Sequence, residues 1–196
     1  MQRDVIGFDI NQQRVNELRK GFDSTKEVHN DDLKDLKLIY FTSNEEDIYD
    51  SDVFIITVPT PINSKKKPDL KALINASIIV GKAIKNRNKN INLKIPLIIF
   101  ESTVYPGVTE EICIPIIEKE SQSKLNEKFY CGYSPERINP GDKIHNIKNV
   151  KKILAIPTKN KKIKKIIEMV YNKVTRNLIL TNSIENAETA KVIENI

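Results

Sequence analysis

The sequence contains little that could bind a metal ion or form a disulfide framework. Two cysteines, Cys113 and Cys131, and two histidines, His29 and His145, occur among its 196 residues. They form no CxxC pair and no Cys/His cluster, so we expect neither a metal site nor a disulfide. So few cysteines fit a reducing compartment, and a cytoplasmic protein is therefore the default expectation.

The chain also lacks the features of membrane proteins and of nucleic-acid-binding proteins. It has no signal peptide and no apolar stretch long enough to cross a bilayer. The net charge is +6, and lysines are concentrated in the tract Lys159–Lys165. No stripe of arginine and aromatic residues accompanies them, which disfavours nucleic-acid binding. Apolar residues recur at the spacing of an amphipathic helix with a charged outer face: Ile163, Ile166, Ile167 and Val170.

Short apolar runs alternate with helical patterns along the chain. Among them, Asp52–Val58 is continuous and β-branched, which predicts a strand buried on both faces. The alternation predicts an α/β fold with a doubly wound parallel sheet and helices on both faces. The predicted strands are Val5–Asp9, Leu38–Thr42, Asp52–Val58, Pro96–Phe100, Phe129–Tyr133, Lys152–Ile156 and Leu178–Thr181. The predicted helices begin near Arg14, Asp69, Thr109, the lysine-rich tract and Asn182 or Ser183.

Asp9 ends the first predicted strand. In a dinucleotide-binding fold, an acid at the tip of the second strand accepts hydrogen bonds from the adenosine ribose and favours NAD over NADP. The alternative is a helix N-cap, since Asp or Asn commonly precedes an amphipathic helix, and Asp9 taken alone favours this alternative. The G-x-G-x-x-G turn expected about 20 residues before such an acid is absent, because only eight residues precede Asp9.

Polar residues follow three of the predicted strands. Thr60, in Thr57–Pro61, could donate a hydrogen bond to a nicotinamide ribose, although a simple strand-terminating turn is an equal alternative. Thr103 precedes a predicted helix, where a hydroxyl can hold a phosphate or an orienting water. The stiff loop Tyr133–Asp142 contains two prolines and a glycine together with Glu136, and it suits either an active site or a surface turn.

The last predicted helix carries Lys191 and Asn195 four residues apart, on one face. A lysine and an amide together can polarise a carbonyl group or stabilise an oxyanion. Any exposed helix offers such pairs, so the spacing alone does not assign a role.

Taken together, these segments resemble the UDP-glucose/GDP-mannose dehydrogenase family. The resemblance lies in GFDIN (7–11), VPTP (58–61), ESTVYPG (101–107), YSPERINPGD (133–142) and AKVIEN (190–195). It covers essentially the whole chain, in the family's order and spacing. The PERINPG form looks more like the branch that acts on UDP-N-acetylhexosamines than the UDP-glucose branch.

The resemblance implies an NAD-dependent enzyme with a Rossmann-like domain. Such enzymes oxidise the C6 hydroxymethyl group of a nucleotide sugar to a carboxylate in two steps, for polysaccharide precursor synthesis, and they form homodimers. A cysteine captures the intermediate aldehyde as a thiohemiacetal. Carried over by position, Asp9 would hold the adenosine ribose, and the other cofactor-binding residues would be Arg14, Thr60, Pro61 and Thr103.

The resemblance also implies catalytic roles. Glu136 would be the acid/base or water-orienting carboxylate, and Lys191 and Asn195 would stabilise the oxyanion that develops at C6. Thr103 would line the nicotinamide side of the same site. The substrate would be a UDP-sugar.

The chain departs from the family pattern at both ends. The family's first strand and glycine-rich loop have no counterpart, and neither has the domain that supplies the nucleophilic cysteine. Cys113 and Cys131 match no nucleophile motif, and we interpret both as small buried apolar residues. We therefore expect residues 1–182 to form a truncated NAD-binding domain and residues 183–196 to begin the family's central dimerising helix. The alternative is a non-catalytic remnant or interaction module without cofactor binding.

The purified chain alone is expected to be poorly stable and catalytically inactive. Without the family's first strand, apolar sheet edges would be exposed on either side of its place. The measurement is NADH formation from a UDP-sugar and NAD. Measurable turnover by the chain alone would contradict this prediction.

Overall fold

The computed structural model describes residues 5–25, 28, 33, 38–87, 95–136, 151–175 and 177–194. Four residues named above lie outside this part of the chain: His29, His145, Asp142 and Asn195. The loop Tyr133–Asp142 is described only as far as Glu136. The chain divides into two compact units, Met1–Asp50 and Ser51–Ile196. This division does not test the expected domain boundary between residues 182 and 183, which stays a prediction.

The described residues of the first unit form a parallel strand pair, one α-helix and a 3-10 helical turn at Glu45–Ile48. Strands β1 (Val5–Phe8) and β2 (Ile39–Thr42) pair in parallel, and helix α1 (Gln12–Arg19) lies between them in sequence. The helix begins where it does because the Asn11 side chain accepts hydrogen bonds from two backbone N–H groups of the first turn. It ends before Gly21, whose φ of 69° is the left-handed conformation that commonly terminates helices.

The second unit is built on one five-stranded sheet with the order β3-β4-β5-β6-β7. Strands β3, β4 and β5 are parallel, β6 runs antiparallel to β5, and β7 is parallel to β6. The strands are Val53–Ile56, Leu97–Phe100, Tyr130–Tyr133, Lys152–Ala155 and Leu178–Thr181. The helices, here α2 to α5, are Lys71–Arg87, Ile114–Ser121, Lys161–Tyr171 and Ile184–Glu194, with a π-helical turn at Thr109–Cys113.

The sheet is therefore mostly parallel, which confirms the predicted α/β class, but the reversal of β6 was not predicted. Apolar runs reveal that strands are buried and carry no information about strand direction. Because β6 is antiparallel, its first residue, Lys152, lies at the sheet edge where β3, β4 and β5 end. In a fully parallel sheet Lys152 would lie at the opposite edge, whereas in the observed sheet its side chain lies at the predicted site.

Strand β4 lies at the centre of the core. All its side chains are buried, and Ile98 and Ile99 have no exposed surface. On one face, Leu97 and Ile99 pack with Leu154 and with residues of α4. Helix α4 has the predicted amphipathic character, since Ile167 is fully buried while most of its lysines are exposed. Ile166 is an exception at 41% exposure, because it lies at the border of the buried face.

The segment Asp52–Val58, which contains β3, was expected to be buried on both faces, and this is wrong for the face that carries Ile55 and Thr57, both of which are exposed. Phe54 and Ile56 are buried, whereas Ile55 is 49% exposed. Within the described residues β3 pairs only with β4, so it is an edge strand of its sheet. In the first unit, Val5 of β1 is similarly half-exposed. Both observations agree with the expectation of exposed apolar sheet edges.

Gly132 in β5 is required by close backbone packing, which generates a prediction. A Cβ atom at this position would lie 2.5 Å from the backbone oxygen of Ala155 and 3.0 Å from side-chain atoms of Ile99 and Ile156. The Ala155 oxygen belongs to a strand and cannot move aside cheaply. We expect Gly132→Ala to lower the free energy of unfolding by about 1–3 kcal/mol, measured by urea denaturation. A neutral or stabilising effect would contradict this packing.

Candidate functional site

A cavity of about 270 Å³ lies where β3 and β4 end. It is lined by residues of three strand-end segments: Thr57, Val58, Pro59, Thr60, Glu101, Ser102, Thr103 and Glu136. Three of the residues predicted from the sequence, Thr60, Thr103 and Glu136, thus meet in one place. A larger cleft of about 770 Å³, lined in part by Pro157 and Lys159, contains none of the predicted site residues. The chemistry therefore favours the smaller cavity.

Hydroxyl groups join two walls of this cavity. The Thr60 hydroxyl donates to the Thr103 carbonyl oxygen at 2.5 Å, and the Ser102 hydroxyl donates to the Val58 carbonyl oxygen at 2.7 Å. The Tyr133 hydroxyl, buried beneath them, donates to the Ser102 carbonyl oxygen at 3.1 Å. The Thr60 hydroxyl was predicted to donate to a nicotinamide ribose, but its hydrogen is used in this bond within the protein. Its oxygen can still accept a hydrogen bond.

Helix α5 brings Lys191 to the Glu136 segment. The Lys191 ammonium donates to the backbone carbonyl oxygen of Glu136 at 2.6 Å. An ammonium has three donor hydrogens, so this bond leaves it able to interact with a further oxygen. Two of the predicted catalytic residues, Glu136 and Lys191, are therefore in direct contact.

A set of charged groups extends from the cavity lining into the protein. The Lys152 ammonium is 3.2 Å from a Glu136 carboxylate oxygen and 3.3 Å from a Glu101 carboxylate oxygen. The Tyr171 hydroxyl donates to the other Glu101 oxygen at 2.5 Å. Burial, with the nearby Glu101 carboxylate adding to it, raises the pKa of Tyr171 well above its usual range, so the phenol stays protonated. We call Glu101, Glu136, Lys152 and Tyr171 the Lys152 cluster.

Sequence reasoning missed most of this cluster. Glu101 stands in one of the quoted motifs, and its place directly after a buried strand was an available signal. Lys152 carried no such signal, because its position at this edge follows from the direction of β6. Tyr171 ends an amphipathic helix, where an aromatic residue is usually part of a core.

Glu188 on α5 is a further residue that the sequence did not reveal. It is fully buried, and its carboxylate accepts hydrogen bonds from the backbone N–H groups of Gly107 at 2.7 Å and Thr109 at 3.0 Å. These donors lie at the start of a helical segment, where N–H groups lack intrahelical partners. Burial raises the pKa of Glu188, and the hydrogen bonds oppose this shift. Glu188 thus fastens α5 to the segment that follows Thr103.

Asp9 and Arg14 lie in the first unit. Asp9 follows β1, and its carboxylate accepts a hydrogen bond from the Asn11 backbone N–H at 2.8 Å. Asn11 caps helix α1, so the helix-capping alternative is confirmed for the asparagine and does not apply to Asp9. The Arg14 guanidinium forms an ion pair with Asp23 at 2.6 Å, and this bond commits one of its nitrogens to a contact within the protein.

The two cysteines are not suited to nucleophilic catalysis. Both are buried, as expected, and burial raises the pKa of Cys113 to about 11, so that its thiol is almost entirely protonated at neutral pH. Across the described ranges, no group of three or more His, Cys, Asp or Glu residues is placed to hold a metal ion. The same part of the chain includes no helix long and apolar enough to span a membrane.

Parallel strands with polar residues at their carboxyl ends define the class of Rossmann-like dinucleotide-binding domains. Residues 1–175 match the model of the UDP-glucose/GDP-mannose dehydrogenase family, NAD binding domain. The chain belongs to this family, and its cofactor is NAD, as the sequence motifs indicated.

Individual relatives cover nearly all of this chain. It is 47% identical to UDP-N-acetyl-D-glucosamine 6-dehydrogenase of Pseudomonas aeruginosa, over 99% of this chain and 44% of the relative. It is 45% identical to Protein CapL of Staphylococcus aureus, over 97% of this chain and 43% of the relative. The solved structure of a UDP-D-ManNAc dehydrogenase from Pyrococcus horikoshii matches with a TM-score of 0.79 and 26% identity, over 98% of this chain and 44% of that chain. The chain thus spans less than half the length of these relatives.

The raised pKa of Glu188 predicts a specific dependence of stability on pH. Because the folded protein binds this proton more tightly than the unfolded chain, the corresponding stability is fully present below pH 4.5 and is lost as pH rises through the folded-state pKa. In the Glu188→Gln variant this side chain cannot ionise, so the variant lacks the pH dependence of stability that Glu188 causes. We expect the unfolding free energy of the wild type, relative to Glu188→Gln, to decrease between pH 4.5 and 7.

Urea denaturation at several pH values measures this difference. The matched control is Glu185→Gln, which changes an exposed glutamate on the same helix and should give a nearly constant difference. A wild-type advantage over Glu188→Gln that grows with pH would contradict the raised pKa.

Proposed function

We propose that this chain forms the NAD-binding part of the active site of a UDP-sugar 6-dehydrogenase. The complete enzyme would oxidise the C6 hydroxyl group of the sugar to a carboxylate. One observation carries the proposal: the cavity joins Thr60, Thr103 and Glu136, and Lys191 is bonded to the Glu136 segment. The name of the relative that is 47% identical favours a UDP-N-acetylhexosamine as the substrate.

Cofactor binding is assigned to two groups of residues. Asp9 would accept hydrogen bonds from the adenosine ribose, with Arg14 beside it. Thr60, Pro61 and Thr103 would border the nicotinamide end, where the hydroxyl oxygens of the cavity can accept hydrogen bonds. The residues fit a nicotinamide because the cavity offers hydroxyl groups and the ring of Pro59 directly beyond buried strands. NAD, when bound, accepts the hydride that leaves C6.

The remaining chemistry is assigned to charged side chains at the same cavity. The Glu136 carboxylate, 39% exposed, would accept a proton or orient a water molecule. The Lys191 ammonium would offset negative charge that develops on the C6 oxygen, together with the Asn195 amide. Both assignments need the sugar C6 beside Glu136, at the open side of the cavity.

The thiol of the covalent intermediate would come from the remainder of the enzyme. Cys113 and Cys131 are buried, and neither borders the cavity. The relatives are more than twice as long as this chain, so the remaining part would also supply most contacts to the UDP-sugar. A second copy of the chain is the proposed dimer partner.

A chimera tests this function, with this chain replacing the matching 44% of the 47% identical Pseudomonas aeruginosa enzyme. We expect NADH formation from UDP-N-acetyl-D-glucosamine. In the chimera, Glu136→Gln should lower kcat by about 10²- to 10⁴-fold, because the amide cannot accept a proton. The control Glu127→Gln alters an exposed glutamate away from the cavity and should leave kcat unchanged.

An inactive chimera that folds and binds the UDP-sugar would favour the alternative of a non-catalytic remnant. An active chimera in which Glu136→Gln has wild-type kcat would contradict the role of Glu136 while leaving the family function intact.

A further inference from the structure

We propose that Lys152 is a positioning residue that holds the Glu136 carboxylate at the cavity. This inference rests on the proposed function for the role of Glu136 and concerns a residue that does not itself line the cavity. Lys152 would act through Glu136, by restricting where its carboxylate can lie.

The exposure of the three charged side chains is graded. The Lys152 side chain is 6% exposed, Glu101 is 13% exposed and Glu136 is 39% exposed. The ammonium is thus the innermost charge, and the Glu136 carboxylate is the outermost one, at the cavity. A hydrogen bond from a buried, fixed donor can immobilise a partly exposed side chain that would otherwise occupy several rotamers.

The Lys152 ammonium is itself held firmly. Its backbone begins β6, and its N–H donates to the Asn177 carbonyl oxygen at 2.9 Å beside β7. Its ammonium also lies 5.8 Å from the centre of the Tyr171 ring, a cation–π distance. Glu101, held by the Tyr171 hydroxyl, fixes the same ammonium from the end of β4. Contacts beside β7, on α4 and at the end of β4 therefore fix the position of Lys152, whose ammonium also bonds Glu136.

Charge balance adds to this positioning. Glu101 and Glu136 both approach the same nitrogen, so without the ammonium two carboxylates would face each other in a partly buried site. Two carboxylates that share one ammonium repel each other once it is removed, and this repulsion acts on the more exposed Glu136 side chain. From the other side, Lys191 contacts the backbone of Glu136 and not its carboxylate. Lys191 therefore does not replace Lys152 in this respect.

The test compares five variants of this chain with the wild type, and one of them, Glu101→Gln, is the reference for the double variant described below. Lys152→Met removes the charge at similar volume, and Lys152→Arg retains a cation that can bond both carboxylates. Lys152→Met with Glu101→Gln removes the charge without leaving two facing carboxylates, which protects the fold if the single variant is unstable. Lys162→Met, an exposed lysine on α4, is the matched control.

The first readout is the order of the Glu136 side-chain methylene groups, from ¹³C NMR relaxation of the chain itself. We expect an ordered side chain in the wild type, in Lys152→Arg and in Lys162→Met. In Lys152→Met and in the double variant the order parameter should fall below about 0.6, the range of flexible groups. A Glu136 side chain that stays as ordered as in the wild type in the folded double variant would overturn the proposal.

The second readout is kinetic and uses the chimera described above. Because Lys152 does not border the cavity, the double variant should lower kcat at least tenfold relative to Glu101→Gln alone and change the KM for NAD less than about twofold. Lys152→Arg should restore most of kcat. A KM for NAD that rises by as large a factor as kcat falls would contradict positioning. A wild-type kcat in the double variant would contradict it as well.

The two readouts separate this inference from the proposed function. An inactive chimera would count against the function, whereas the relaxation measurement would still decide whether Lys152 orders Glu136.

Discussion

The hydrogen-bond ladder around β4 fixes the position of every wall of the cavity. It continues past the strand ends: the Glu101 N–H donates to the Ile56 carbonyl oxygen at 2.8 Å, and the Ser134 N–H donates to the Phe100 carbonyl oxygen at 2.9 Å. The segments carrying Thr60, Thr103 and Glu136 therefore leave the sheet side by side. The burial of all four β4 side chains makes this ladder hard to open. The site depends on the core because its polar residues directly follow the buried strands.

Charged groups beneath the cavity are costly to bury, and the structure compensates each of them. Lys152 faces two carboxylates, Tyr171 donates to Glu101, and Glu188 accepts two backbone N–H groups. Such arrangements contribute little net stability, yet removing one partner is strongly destabilising because it leaves a buried charge unpaired. Their consequence is geometric: β4, β5, β6 and α5 are connected through side chains as well as through the sheet.

The sequence predicted what burial alone dictates. The strand predicted at Pro96–Phe100 is β4, whose four side chains are all buried, and the lysine-rich tract forms a helix as its spacing indicated. Short motifs at strand ends also located Thr60, Thr103, Glu136 and Lys191. Family membership was recognisable from those motifs, because their order and spacing survive in a chain that covers less than half of its relatives.

Features that depend on three-dimensional contacts could not be predicted in the same way. The reversal of β6 leaves no mark on its composition, so the role of Lys152 was not visible. Glu188 has the sequence context of an exposed helical glutamate and is fully buried. Ile55 belongs to an apolar run and is half-exposed, because exposure depends on which strands are neighbours.

The central claim is that the cavity beyond β3 and β4 receives the nicotinamide end of NAD. A titration of NAD into the ¹⁵N-labelled chain, followed by amide chemical shifts, tests it most directly. We expect saturable shifts concentrated at Thr57–Thr60 and Ser102–Thr103, with weaker shifts for NADP at equal concentration. Saturable shifts confined to other segments, or none at millimolar NAD in the folded chain, would contradict the claim.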